Sequence, residues 1–330
     1  MILNIPCCTS ICLSEVASLP FEQKRYSPLS SVPSNTCSIP QASVVICTRN
    51  RPSSLRQCLE AVRKLVCQPQ EVLIVDNSEG DLETKELAQE FGVRYVIAPI
   101  PGLSRARNQG LAEARADVVA FLDDDAVPSP DWLGEILQAF IDDQVAAASG
   151  RIVTPMVNQG NNLADLPRTL SKQDPLWLEI ASFGGMGLGS NMALRKKASD
   201  RTNLFDERLG RGGPFQIAEE HYAFAYLVSR GYSIRYLPEA IVYHPALSRA
   251  PISVEARNSI AYFLLLLAEF PSQRGNLIRF LFRRLQKKHL TWARDIQEPG
   301  DLLSSGWRIK LKAAFSGLWL YLKTPKYSKY

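Results

Sequence analysis

Histidine is scarce in this 330-residue chain, with only His221, His244 and His289. No Cys/His or Ser/His/Asp signature accompanies them, so a covalent acyl-type intermediate is not indicated. The seven cysteines are odd in number, form no CxxC pair and all lie at or before Cys67. That pattern excludes a disulfide framework and a zinc site, and points to a reducing compartment. There is no GxGxxG after the first apolar run and no GxxxxGK[ST], which argues against a dinucleotide oxidoreductase and a P-loop NTPase. No apolar run reaches the ~18–20 residues that a membrane-spanning helix needs. The longest approach is IAYFLLLLA (260–268), which reads as a buried or interfacial helix. The start, MILNIPCCTSICL, has no basic segment and is interrupted by Pro6, a poor signal peptide. Internal repeats and low-complexity tracts are absent.

What is present is an ordinary globular composition, 46% hydrophobic and 22% charged. The net charge of +5 is unevenly spread. Residues 249–330 hold 15 Lys+Arg against 5 Asp+Glu, and the rest of the chain is net acidic. The basic end suggests anionic lipid or another negative partner, or a helical tail with solvated charges.

Residues 1–40 are rich in Ser, Pro and Cys and read as a loosely ordered leader. From there apolar runs and helical periods alternate. SVVICT (43–48), EVLIVDN (71–77), VRYVIA (93–98) and VVAFLDDD (118–125) read as strands. Between them lie a helical stretch with Leu55, Leu59, Val62 and Val66 on one face, a polar helix at 81–91, and a helix at 102–115. Another helix is predicted over 131–141, then a Gly-rich segment (183–196) and a helix opening on Glu219 and Glu220. SIRYLP and a second apolar segment, ending in His244, follow. NLIRFLFRRLQKKHL (276–290) puts Leu277, Ile278, Leu281, Phe282 and Leu285 on one stripe, with Arg283, Arg284, Lys287 and Lys288 elsewhere, a basic amphipathic helix. The alternation predicts an α/β domain over 41–247 with a mainly parallel, mixed sheet flanked by helices, and a basic helical extension over 248–330.

Asp123, Asp124 and Asp125 stand in a row after the fourth strand. Adjacent carboxylates repel, so either solvent or a cation must compensate them. Thr48, Arg49 and Asn50 follow strand one and Asp76 ends strand two. Ligands of parallel sheets bind beyond such carboxyl ends. Glu219 and Glu220 suit a helix dipole and can be read as capping charges.

ASVVICTRNRPSSLRQCLEAV, EVLIVDNS and GLSRARNQGLAEARADVVAFLDDDAVPSPDWL together resemble the donor half (41–150) of a family 2 glycosyltransferase with the GT-A fold. LGSNMALRK, FDERLG, AEEHYAFAYLVSRGY and YLPEAIVYH resemble its acceptor half (151–247). The resemblance implies an inverting transfer of sugar from a nucleotide-diphospho-sugar to a hydroxyl, in polysaccharide or glycoconjugate synthesis. It implies Thr48, Arg49, Asn50, Asp76, Arg105, Asp123 and Asp124 as donor contacts, and Asp125 and His244 as ligands of Mg²⁺ or Mn²⁺. Glu220 would be the base, with Glu219 beside it. His244 can equally be a satisfied histidine at a strand end. A UDP-sugar donor, a carbohydrate or lipid-linked acceptor and peripheral contact with an anionic membrane on its cytoplasmic face are the expected partners. Nucleic acid is not, because no recognised module is visible. QxxRW is absent, so transfer of one or a few sugars is expected rather than extrusion. The alternatives are a nucleotidyltransferase acting on sugar phosphates, disfavoured by a CTRNRP loop without glycine, and an inactive nucleotide-binding homologue.

Overall fold

The computed structural model describes residues 40–154, 166–198, 203–245, 251–286 and 307–325. The leader 1–39, His289, Lys287 and Lys288 lie outside the described residues. Nine strands form one mixed sheet: β1 (Ala42–Thr48), β2 (Glu71–Asp76), β3 (Arg94–Ile97), β4 (Val118–Asp123), β5 (Val127–Pro128), β6 (Val145–Val153), β7 (Arg168–Leu170), β8 (Asn191–Arg195) and β9 (Ser233–Tyr243). Eight of them follow the order β3-β2-β1-β4-β8-β6-β9-β5, and β7 pairs with β9. β3, β2, β1 and β4 run parallel to one another, and β6 is parallel to β9. β8 runs antiparallel between β4 and β6.

The continuous apolar runs are explained by two cores. Val45, Leu73, Val75, Val119 and Phe121 face one. Val44, Ile46, Ile74, Val118, Ala120 and Leu122 face the other. Successive side chains alternate across a strand, so a sheet covered on both faces reads as unbroken hydrophobicity. Helices α1 (Pro52–Val62), α2 (Leu82–Phe91) and α4 (Trp132–Leu137) cover the second face. Helices α3 (Leu103–Glu113), α5 (Trp177–Ser182), α6 (Glu219–Ser229), α7 (Ile252–Glu269) and α8 (Arg274–Gln286) contribute to the first. Helix α9 (Trp307–Lys323) lies against it through Leu320 and Tyr321.

Several local expectations are corrected. Val66 is exposed: the helix ends at Val62, and the Val66 N–H bonds the Pro130 carbonyl while Leu65 fills the core. The fourth strand stops at Asp123, and the helix predicted to Ile141 tightens to a 3-10 turn after Leu137. SIRYLP and the segment after it are one strand. Its Pro238 falls where the register with β6 jumps, from Gly150↔Leu237 to Arg151↔Ile241. A missing N–H costs nothing in such a bulge. On α8 Leu277 and Phe280 are buried and Leu281 packs against the same core, whereas Ile278 and Phe282 are exposed. The Gly-rich segment is a compact turn leading into β8.

Candidate active site

Parallel pairing aligns the carboxyl ends of three strands. Thr48 is level with Asp76, and Cys47 with Asp123. The chain then turns through Asp124 and Asp125, and β5 pairs with the end of β9, Val127 opposite Tyr243. That pairing delivers the next residue, His244, to the acidic turn. Its Nε2 lies 3.0 Å from Asp125 Oδ1 and 3.6 Å from Asp123 Oδ2. Its Nδ1 donates to the Pro245 carbonyl at 2.8 Å, which leaves Nε2 as the atom facing the carboxylates.

Burial disfavours charge on His244, but the Asp123 and Asp125 carboxylates beside it outweigh that and raise its pKa to about 10. Burial likewise opposes the charge on Asp125, and His244 and Arg51 overcome it, holding the carboxyl well below the usual range. Asp123 is held down too, by His244 and Arg107 against its burial. Asp124 goes the other way. Burial pushes its carboxyl up to about 6, although Thr48 and Arg51 pull against it.

Asp123, Asp125 and His244 bring one ligand atom each to within 4.8 Å of one another. The set fits a divalent cation: two carboxylate oxygens and an imidazole nitrogen whose partner nitrogen is fixed by a backbone carbonyl. The field that holds a proton on His244 would equally favour a cation there.

Asp124 is turned inward. Its carboxylate accepts from Thr48 Oγ1 at 2.7 Å and from Arg51 at 2.6 Å. The other arm of Arg51 reaches Asp125 at 2.6 Å. Asp76 is also engaged by its own surroundings, accepting from the N–H groups of Ser78 and Asp81 and from Tyr95 Oη. Arg49 and Asn50 are exposed, and Asn50 takes a left-handed backbone with φ 54°.

Glu219 and Glu220 are buried at the start of α6 rather than solvated, and no side chain caps that helix. Arg107, itself buried, donates to Glu219 at 2.6 Å and contacts Asp123 at 3.3 Å. It therefore ties the acidic pair of α6 to the end of β4. Burial and the neighbouring Glu220 charge push Glu219 up to about 7, against the pull of Arg107. Glu220 accepts from the Gly189 N–H at 3.3 Å.

Arg105 is placed away from this cluster. It pairs with Glu207 at 2.8 Å and donates to the Pro101 carbonyl. Arg107 and Arg51 are the arginines that reach the carboxylates, and neither was among the expected site residues. The helical period held a signal for Arg107: Ser104, Arg107, Asn108 and Leu111 fall at i, i+3, i+4 and i+7, and all are buried. Arg105 falls off that face.

A mixed α/β sheet with an acidic turn beyond its parallel strands is the arrangement of a GT-A glycosyltransferase. The fold is similar to a mannosyltransferase from Pyrobaculum calidifontis solved with GDP-Man and Mn²⁺, with a TM-score of 0.53, 15% identity, and 87% of this chain and 76% of that one covered. Residues 43–201 match the model of Glycosyl transferase family 2. Glycosyltransferase AglE of Haloferax volcanii is 26% identical over 219 residues, which is 64% of this chain and 69% of that protein. The glucosyl-dolichyl phosphate glucuronosyltransferase of the same organism is 27% identical over 190 residues, 52% of this chain and 58% of its own length. Over residues 43–201 the chain is similar to glycosyltransferase family 2, and it is a glycosyltransferase.

Proposed function

We propose that this enzyme moves a sugar from a nucleoside-diphosphate donor to an acceptor hydroxyl by a single inverting displacement. The observation that carries the reading is the Arg107 bridge, which links the acidic turn holding Asp123, Asp125 and His244 to the carboxylate pair at the head of α6. Asp125 and His244, with Asp123 in reach, would hold Mg²⁺ or Mn²⁺, which when bound offsets the negative charge of a departing diphosphate. Thr48, Asp76 and Asp123 line the donor end, and Asp124 with Arg51 fixes the turn. Arg49 and Asn50 stand exposed beside it.

Glu220 takes the acceptor proton. Its neighbour Glu219 is committed to Arg107, which leaves Glu220 as the carboxylate free to act. The acceptor oxygen then forms the new bond to the anomeric carbon as the bond to the diphosphate oxygen breaks. The electron pair leaves with the nucleoside diphosphate, and attack from the opposite face inverts the configuration.

The dolichyl phosphate in the name of one relative supports a lipid-linked acceptor, met at the cytoplasmic face of an anionic membrane. The halves 41–150 and 151–247 would serve donor and acceptor. UDP is the nucleotide expected from the family resemblance, while the Pyrobaculum enzyme was solved with GDP-Man. Calorimetric titration of UDP and GDP, with and without Mn²⁺, should show metal-dependent binding of one nucleotide that Asp125→Ala abolishes. Binding of neither nucleotide under any metal would overturn the reading in favour of an inactive homologue.

A further inference from the structure

Among the described residues, helix α9 is attached by one face. Gly317 sits on that face, and a Cβ there would lie 2.7 Å from the Arg257 carbonyl oxygen and 2.7 Å from Ile260 Cβ. The missing side chain lets α9 close directly onto the backbone of α7. Leu320 and Tyr321 turn into the same core.

The opposite face carries Phe315, Leu318, Trp319 and Leu322, spaced i, i+3, i+4 and i+7. They are 69%, 42%, 60% and 67% exposed. Single exposed apolar residues are ordinary, but four large ones on a single helical stripe form a ridge that no described residue covers. Exposed Lys312 and Lys323 border it, and Lys323 Nζ lies 4.6 Å over the Trp319 ring. Helix α8 presents the same chemistry on a smaller scale: Ile278 and Phe282 are exposed, as is Arg279. Around both helices, residues 249–330 carry ten more basic than acidic side chains.

We propose that α9 is a membrane-docking element, whose ridge enters the headgroup–acyl boundary of an anionic bilayer while Lys312 and Lys323 meet lipid phosphates. The proposal deepens the lipid-linked acceptor reading and rests on it only for the nature of the partner. An aromatic and aliphatic stripe edged by lysine suits an interfacial helix. No described helix is long and apolar enough to cross a membrane, so the contact is peripheral at this surface. A second copy of the chain fits less well. In a two-fold pairing the lysine borders would face one another, and like charges repel.

The test is co-sedimentation of the full chain with vesicles. Wild type should bind phosphatidylcholine vesicles containing phosphatidylglycerol, should bind pure phosphatidylcholine vesicles far less, and should be released by salt. Inorganic phosphate should not compete beyond its ionic strength, which separates a lipid surface from a free-anion site. Phe315→Gln/Trp319→Gln/Leu322→Gln should lower partitioning roughly a hundredfold, from the apolar area no longer buried. Lys312→Gln/Lys323→Gln should lower it roughly twentyfold, each lysine being worth about fivefold near an anionic surface. These side chains are exposed, so circular dichroism and nucleotide binding should match wild type in both variants. Loss of nucleotide binding in wild type would count against the transferase reading alone. The docking proposal is overturned if wild type ignores anionic vesicles or if the triple variant binds them equally well. A wild-type dimer in ultracentrifugation that the triple variant dissolves would also overturn it, by assigning the ridge to a second copy.

Discussion

Replacing Arg107 with Met removes the cation shared by Glu219 and Asp123, at 2.6 and 3.3 Å, from a site that is almost fully buried. The methionine fills much of the volume, so the main effect is electrostatic. Breaking a buried pair leaves an uncompensated charge and costs about 3–5 kcal/mol. For a domain of this size that lowers Tm by roughly 10 °C. Glu219 can limit the loss by taking up a proton. Its folded pKa already stands near 7, well above the unfolded value, and removal of Arg107 raises it further. A carboxyl raised in the folded state contributes stability that is present at low pH and lost as pH rises through the folded pKa. The deficit should therefore be larger at pH 8 than at pH 6. Adding Glu219→Gln should restore more than half of it, because the stranded charge is gone. Urea denaturation of the four members of the cycle at both pH values measures this. A single variant within about 1 kcal/mol of wild type, or a double variant no more stable than the single, would refute the reasoning.

Three further outcomes follow from packing and titration. Gly150→Ala would place a Cβ 2.0 Å from the Ala240 carbonyl oxygen and 2.6 Å from Asn191 Nδ2, at the bulge between β6 and β9. Because a backbone atom cannot step aside, a loss of about 1–3 kcal/mol is expected in chemical denaturation. Trp132→Phe removes the buried bond from Nε1 to Asn191 Oδ1 at 2.8 Å, and the orphaned acceptor should cost about 1–3 kcal/mol by the same measurement. Glu71 is half-buried, which opposes its charge, but it accepts from Arg94, Ser43 and the Arg115 N–H, which hold its carboxyl below the usual range. That contribution is present above the unfolded pKa and disappears as pH falls, so Glu71→Gln should flatten the acid limb of a stability-against-pH curve without steepening the alkaline one.

The order of strands and helices in the first 150 residues was legible because each strand is a short β-branched run and each crossover helix has its own period. Asp76 and the triple aspartate could be placed at the carboxyl ends of strands for the same reason. Local pattern also read 260–268 as a buried or interfacial helix, and within α7 most of that segment is buried. What local pattern could not decide was which polar groups share a site. Arg105 and Arg107 are two residues apart, and only the packed face of α3 sends one to Glu207 and the other to Glu219. Asp124 and Asp125 are adjacent and share Arg51, yet one is turned onto Thr48 and the other toward His244. His244 reaches them because β5 pairs with β9, a contact between segments more than a hundred residues apart. On α8 the stripe is split, with Leu277 and Leu281 on the core and Ile278 and Phe282 exposed, since the phase of a helix is set by the neighbour it packs on. Periodicity and propensity are properties of neighbours along the chain, and the sequence carries them by itself. Convergence of distant carboxylates, the sharing of one guanidinium, and the face of α9 left bare depend on tertiary contacts, and only the folded structure decides them.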